Sequence, residues 1–97
     1  MSFVQVFEFT TSDLDGVRRV NEEWRQATEG KRTVRREIVA ADRNRPGRYF
    51  AIVFFDSYES AMENSNLPET QAAAGKYMAL SDGEPVFYDL DVLDDRA

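Results

Sequence analysis

Five side chains in this 97-residue sequence are the best candidates to contact a bound small molecule. They are the sole tryptophan, an asparagine four positions before a proline in a helix-rich segment, and three tyrosines whose hydroxyls can donate or accept a hydrogen bond. Indole, amide and phenol groups of this kind can hold an aromatic or phenolic ligand. The candidate pocket residues are Trp24, Asn64, Tyr77, Tyr58 and Tyr88.

Each candidate also has a structural explanation that the sequence leaves open. Trp24 falls on the apolar stripe of a predicted helix, where aromatic residues commonly pack into a core. Tyrosines often pack at a core or its rim for the same reason. In the segment NSNLPETQ, Asn66 is expected to cap a helix with its side chain, whereas Asn64 is explained as well by a pocket as by capping.

Charged residues on the predicted strands offer a second set of candidates. Arg35 and Arg36 on the second strand are able to bind an anionic ligand. A solvated sheet edge, or pairing with Glu8 or Glu37, is the account that the sequence favours for this arginine pair. Ligand binding is the alternative.

The residue inventory excludes several kinds of site. With no histidine and no cysteine, the chain has no Ser-His-Asp or Cys-His nucleophile and no nitrogen or sulfur ligands for zinc. Its five scattered glycines form neither a GxGxxG motif nor a P-loop. Asp89 and Asp91 alternate onto one face of the last strand, where near a C-terminus they are interpreted as solubilising. We therefore expect no metal and no cofactor.

Length and charge limit the organisation and the partners. A chain of 97 residues suits one small domain, residues 1–97, and 42% hydrophobic residues suffice for a core. Its 12 lysines and arginines against 18 aspartates and glutamates give a net charge of -6, which disfavours nucleic acid. The first residues, MSFVQVFEF, lack a signal-peptide pattern and fall short of the roughly 20 apolar residues that span a bilayer. We expect a cytoplasmic protein that has no membrane partner.

Apolar periodicity predicts the element order β-α-β-β-α-β. Thr11, Ser12 and Asp13 precede the first helix, and Gly30 is expected at its C′ position. Ser57 is expected to cap a short helix at the start of the second helical region. Pro68 interrupts this region near residues 64–66. A new helix is then expected to begin with Asn66 as its cap and Glu69 completing a capping box. The predicted strands are residues 3–9, 31–42, 49–56 and 86–93, and the predicted helical regions are residues 13–30 and 57–80.

This order predicts an α+β, ferredoxin-like βαββαβ fold, with a four-stranded antiparallel sheet and two helices on one face. Helices cover only that face, yet the strands are apolar on both sides. The third strand, for example, alternates Tyr49, Ala51 and Val53 with Phe50 and Ile52. A second apolar face left in water would form an unusually large exposed patch. The sequence therefore predicts a homodimer that pairs sheet against sheet.

The segment YFAIVFFDSYESAMENSNLPET, an apolar strand followed by a capped short helix and a proline-interrupted restart, resembles the dimeric α+β barrel superfamily. Within it, the likeness is to the antibiotic biosynthesis monooxygenase-like proteins, and it covers nearly the whole chain in element order. The resemblance implies a ligand pocket in each subunit, between helices and sheet. Members of the superfamily carry out different reactions, so the fold does not decide the function.

Two functional hypotheses follow from the resemblance. The first is a small homodimer that serves as a binding or assembly module and whose small-molecule pocket is vestigial. The second is a cofactor-independent monooxygenase acting on an aromatic, polyketide-like substrate, in which the substrate supplies the electrons and the protein deprotonates an acidic phenol in a dry pocket. The haem-degrading members use a histidine ligand, and the absence of histidine disfavours that branch.

Overall fold

A computed structural model describes residues 2–97 and shows one antiparallel sheet with three helices. The predicted βαββαβ order is confirmed, with the second helical region divided into two helices. Within the described residues, no helix is both long enough and apolar enough to cross a membrane. The elements are β1 (Phe3–Thr10), α1 (Leu14–Ala27), β2 (Arg36–Ala41), β3 (Arg48–Phe55), α2 (Tyr58–Ser65), α3 (Pro68–Leu80) and β4 (Val86–Asp91).

The strands lie in the order β2-β3-β1-β4, which places the two long apolar strands in the centre. Strand β2 is at an edge, as its heavy charge predicts. It is shorter than expected, because residues 31–35 connect α1 to the sheet without joining the strand. Strand β4 likewise ends at Asp91, two residues before the predicted boundary.

Strand pairing assigns each side chain to one of two sheet faces. Phe7 lies opposite Ala51 on β3 and opposite Phe87 on β4, and Val39 lies opposite Ala51 from β2. Directly opposed residues share a face, so these four side chains point to the same side. The other face carries Val6, Ile38, Phe50, Ile52, Phe54 and Tyr88. Both faces are apolar, as the alternation predicts.

Helix α2 anchors the helical layer to one end of the sheet. Phe3, Val53 and Phe55 are buried with Ala61 of α2, which is fully covered. Helix α1, in contrast, packs most extensively on α3. The helical layer is therefore packed on the sheet where α2 lies, while α1 packs mainly on α3.

The ends of α1 follow local rules with one difference from the prediction. Asp13 is the N-cap, and its carboxylate accepts a 2.9 Å hydrogen bond from the Gly16 amide. The helix ends at Ala27 with Thr28 as the C-cap. Gly30, which was expected at C′, therefore lies one residue beyond the C′ position. Gly30 has a φ of 79°, which a residue without a β-carbon adopts readily in the turn toward β2.

The helix restart at Pro68 is confirmed, but the predicted capping by Asn66 and Glu69 is wrong. Ser57 and Ser60 form a reciprocal capping box at the start of α2. Asn66 ends α2 in a helical conformation, and Leu67 is the N-cap of α3 with a φ of -62° and a ψ of 134°. A residue before proline is driven to this extended conformation, so the cap position shifts to a side chain that has no acceptor.

The capping box gives a stability prediction for α2. Replacing Ser57 with Ala removes the hydroxyl that accepts the Ser60 amide, which is expected to lower the free energy of unfolding by about 1 kcal/mol. Urea denaturation at one fixed protein concentration measures this loss. Ser2→Ala, at an exposed serine outside the helices, is the control and is expected to leave the midpoint unchanged. Equal midpoints for Ser57→Ala and wild type would contradict the capping role.

Candidate functional site

A cavity of about 710 Å³ lies between the sheet and the α1–α3 pair. Its floor is the sheet face that carries Phe7, Ala51 and Phe87, and its end wall is formed by the last turn of α2 at Asn64 and Ser65. The roof comes from two helices. Roof residues are Leu14, Val17, Asn21 and Trp24 from α1, and Thr70, Ala73, Ala74, Tyr77 and Met78 from α3.

Small side chains explain why this space is open. Ala51 on the floor and Ala73 and Ala74 on the roof leave room where larger residues would close the gap between the layers. The rim is apolar and accessible, with Phe87 60% and Met78 49% exposed. A ligand can therefore enter from solvent and reach an apolar interior.

The floor of the cavity is aromatic. The rings of Phe7 and Phe87 meet edge to face with centroids 5.1 Å apart. Those of Phe9 and Tyr49 are 5.7 Å apart at a tilt of 33°. Such pairs present both ring faces and ring edges, which are complementary to a flat aromatic molecule.

A hydrogen-bonded chain of three polar side chains crosses from the roof to the floor. The Tyr77 hydroxyl donates to Asn21 Oδ1 at 3.1 Å, and Asn21 Nδ2 donates to Glu37 Oε1 at 2.9 Å. Burial raises the pKa of Tyr77 well above its ordinary value, and the charge of Glu37 raises it further. Tyr77 is therefore a neutral hydroxyl at physiological pH.

Trp24 is held in place in the roof of the cavity. Its side chain is buried, and Nε1 donates a 2.9 Å hydrogen bond to Thr70 Oγ1 on α3. The Arg32 guanidinium lies 6.0 Å from the ring centroid, where it is attracted to the ring face. Arg32 is itself held by a hydrogen bond to the Arg25 carbonyl. The indole thus contributes a fixed apolar surface to the cavity.

Asn64 lines the cavity and does not cap a helix; its side chain instead contacts the segment before β2. Its buried side chain accepts a hydrogen bond from the Thr33 amide at 3.4 Å and ties the segment before β2 to α2. Thr33 Oγ1 strengthens this link by donating to the Ser60 carbonyl at 2.6 Å. The same asparagine lines the end wall of the cavity.

The structure brings three of the five candidates to the cavity and places two elsewhere. Trp24, Asn64 and Tyr77 line it, whereas Tyr58 and Tyr88 do not. Tyr58 is 49% exposed at the start of α2 and packs edge-on against Phe3. Tyr88 alternates onto the opposite sheet face, because it pairs with Val6. Tyr58 and Tyr88 therefore lie outside this cavity, and a contact of either with a ligand stays a prediction.

The arginine pair has surface contacts rather than cavity contacts. Arg35 pairs with Asp56 at 2.5 Å instead of Glu8 or Glu37, and its hydrogen bond lowers the pKa of the Asp56 carboxyl. The Arg36 guanidinium lies 5.9 Å from the centroid of the Phe54 ring, on the sheet face away from the helices. Neither arginine lines the cavity, so the anion-site interpretation gains no support from the geometry.

The remaining carboxylates are not grouped in a way that would bind a metal ion within residues 2–97. Asp89 accepts a 3.2 Å hydrogen bond from Gln5 on the neighbouring strand. Across residues 2–97, no group of three or more acidic, histidine or cysteine residues is placed to hold a metal ion.

Two cavity residues, Asn21 and Glu37, were not recognised from the sequence. Asn21 follows Val17 by four positions and precedes Trp24 by three, so it lies on the same helix face as both. Glu37 and Val39 lie two positions apart on β2 and both face the cavity. A polar residue within an apolar stripe, and a charge on the inward face of a strand, were the signals available.

The ferredoxin-like sheet with helices on one face is a fold that this chain shares with several solved structures. A structure from Caulobacter crescentus, provisionally assigned as an antibiotic biosynthesis monooxygenase, superimposes with a TM-score of 0.82 and 12% identity over 96% of this chain and 91% of that chain. The resemblance in fold stated from the sequence is confirmed.

Two further solved structures share this architecture. SnoaB, a cofactor-independent oxygenase from Streptomyces nogalater, gives a TM-score of 0.80 with 14% identity, covering 97% of this chain and 95% of that chain. Rv0793 from Mycobacterium tuberculosis gives 0.81 with 12% identity over 100% of both chains. No protein-family model matches the sequence, and no curated protein matches it by sequence. The similarity therefore lies in the fold.

The environment of Tyr77 predicts a pH dependence of stability. Its pKa is raised in the folded state, so the unfolded chain releases this proton near pH 10 while the folded protein retains it. The contribution of the Tyr77 hydroxyl to the free energy of unfolding is fully present below pH 10. It is lost as the pH rises through the pKa of the folded state. Tyr77→Phe is therefore expected to lose stability less steeply than wild type above pH 10 in urea denaturation. Identical slopes for the two proteins would show that Tyr77 is not buried as described.

Proposed function

We propose that this protein is a cofactor-independent monooxygenase that binds an aromatic, phenolic substrate in the cavity. The observation that carries the proposal is a 710 Å³ apolar cavity with an aromatic floor and one polar chain, formed by Tyr77, Asn21 and Glu37. Sites for small molecules commonly enclose about 300 to 1,000 Å³, with mostly apolar walls and a few orienting polar groups. The fold that this chain shares with SnoaB, a cofactor-independent oxygenase, adds support.

The reaction requires an acidic phenol whose anion donates electrons to oxygen. Deprotonation places negative charge on a ring carbon, which forms a C–O bond with O₂. When that ring carbon carries one hydrogen in the phenol, the peroxide that forms there loses this hydrogen and one oxygen as water and leaves a carbonyl. One oxygen atom enters the product and the other leaves as water, so the four electrons that reduce O₂ all come from the substrate. The apolar cavity walls limit side reactions with water.

A binding module without chemistry is the second candidate. It is favoured by the way the cavity groups use their hydrogen bonds. The indole N–H of Trp24 is taken up by Thr70, and the Tyr77 hydroxyl donates to Asn21. A ligand held mainly by the aromatic floor would then be stored or carried rather than converted.

We also propose that two copies of the chain pair through the sheet face opposite the helices. The accessible surface of the chain is 6690 Å². A monomer of this mass normally exposes about 5,700 Å², roughly 1,000 Å² less. This excess is comparable to the roughly 800 Å² that each partner buries in a standard interface. On that face, Val86 and Leu90 are each 46% exposed, and Tyr88 is 41% exposed.

Location in the cytoplasm remains part of the proposal. The chain has no cysteine, as is common for proteins in a reducing compartment. Its net charge of -6 disfavours association with nucleic acid and with anionic membrane surfaces.

Oxygen consumption with anthrone-type phenols tests the reaction. Wild type is expected to consume oxygen above the buffer blank and to form the corresponding quinone. Ala74→Phe places a ring in the cavity and is expected to lower the rate by about tenfold or more. Ala72→Phe, at an exposed position on the same helix outside the cavity, is the matched control and is expected to retain the wild-type rate. Ligand binding without oxygen uptake would instead identify the binding module.

Sedimentation at micromolar concentration tests the pairing. Ile52 lies at the centre of the open sheet face, opposite both Val6 and Ile38. Ile52→Lys would bury an unpaired charge in the interface and is expected to shift the dimer to monomer. Ala72→Lys adds the same charge on an exposed helix position and is expected to leave the dimer intact. A wild-type protein that sediments as a monomer would contradict the assembly.

A further inference from the structure

We propose that Glu37 accepts the phenolic proton of the ligand, with Asn21 and Tyr77 positioning its carboxylate. The inference rests on the proposed function, because it assumes that a phenol occupies the cavity. It assigns to one residue the deprotonation that a cofactor-free reaction needs. In this step the phenolic O–H bond breaks, a new O–H bond forms on Glu37, and the electron pair stays on the ligand.

The position of Glu37 makes it a cavity residue. It pairs with Val53 and points to the helix side of the sheet, while its neighbours Arg36 and Ile38 point to the other side. Strand β2 is the edge nearest α1, since Asn21 of that helix reaches the Glu37 carboxylate. Glu37 thus places an acidic side chain at the apolar floor.

The hydrogen bonds of Glu37 leave one oxygen available. Asn21 Nδ2 occupies Oε1 at 2.9 Å, and no residue among 2–97 donates to Oε2. In the same part of the chain, no lysine or arginine forms an ion pair with Glu37. A carboxylate oxygen without a donor can accept a hydrogen bond from a ligand, and a phenol is the donor that fits an aromatic cavity.

The rest of the polar chain holds this carboxylate in one orientation. Asn21 fixes one oxygen, and the Tyr77 hydroxyl fixes the amide by donating to Asn21 Oδ1 at 3.1 Å. This leaves Asn21 Nδ2 directed to Glu37 and fixes which amide atom faces it. Two other charged residues, Arg18 and Glu22, line the cavity from exposed positions on α1. Glu37 is therefore the cavity carboxylate whose orientation is fixed by neighbouring side chains.

Protection of the sheet edge is the competing explanation for Glu37. Inward-pointing charges on edge strands discourage pairing with other chains, and β2 is an edge strand. Under that explanation, neutralising Glu37 would promote self-association but would leave ligand preference unchanged. The two explanations therefore differ in a measurable property.

Matched ligands with and without a phenolic hydroxyl provide the test. The probes are 1-naphthol and its methyl ether, 1-methoxynaphthalene, titrated against the full chain by calorimetry, with Trp24 fluorescence as a second readout. Wild type is expected to prefer the naphthol by about tenfold or more, because a hydrogen bond to a charged acceptor is lost with the ether. Glu37→Gln is expected to reduce this preference to near unity. Glu63→Gln removes an exposed charge outside the cavity and is the control expected to retain it.

The outcomes separate this inference from the proposed reaction. Equal binding of both probes by wild type, or an undiminished preference in Glu37→Gln, overturns the role of Glu37. The wild-type result does not depend on the folding of any variant. If wild type oxidises a phenol, Glu37→Gln is expected to lower the rate by about a hundredfold or more, and an unchanged rate overturns the inference alone. If the preference is present and no oxygen is consumed, the oxygenase proposal fails while Glu37 stands as the phenol acceptor.

Discussion

The structure depends on how the α1–α3 pair is fixed at its ends without being pressed onto the middle of the sheet. Near one end, α2 packs on Phe3 and Phe55. At the other, Thr11 Oγ1 donates to the Leu80 carbonyl at 2.7 Å, and the Asp82 amide donates to the Thr10 carbonyl at 2.8 Å. Between these attachments the two helices pack on each other, and small side chains leave the space between helices and sheet unfilled. The cavity is thus a consequence of how the helices are attached.

The same arrangement determines the chemistry of the polar groups. Electrostatic interactions are stronger among apolar walls than in water, so hydrogen bonds among the polar groups that face the cavity are strengthened. Tyr77, Asn21 and Trp24 have protein partners. Glu37 has one partner for two oxygens. A phenol satisfies the remaining oxygen and also matches the aromatic floor, which connects the proposed ligand class to the proposed proton acceptor.

Local rules predicted the fold well and the site only in part. Strand alternation gave the two sheet faces, and Pro68 gave the helix break. Asn66 failed as a cap because the proline forces Leu67 into that position. The polar chain joins α1 to β2 and to α3, with Tyr77 lying 56 positions from Asn21. Helix or strand periodicity cannot reveal such a contact, since it depends on how whole elements pack.

A crystal structure of the protein with 1-naphthol bound is the most direct test of the central claim that the helices and sheet enclose a ligand site. The account predicts the naphthol rings on the floor beside Phe7 and Phe87, with Trp24 in the roof above them. It also predicts the hydroxyl within hydrogen-bond distance of Glu37. A structure in which α1 and α3 have closed onto the sheet, with the ligand absent or on the outer surface, would contradict it.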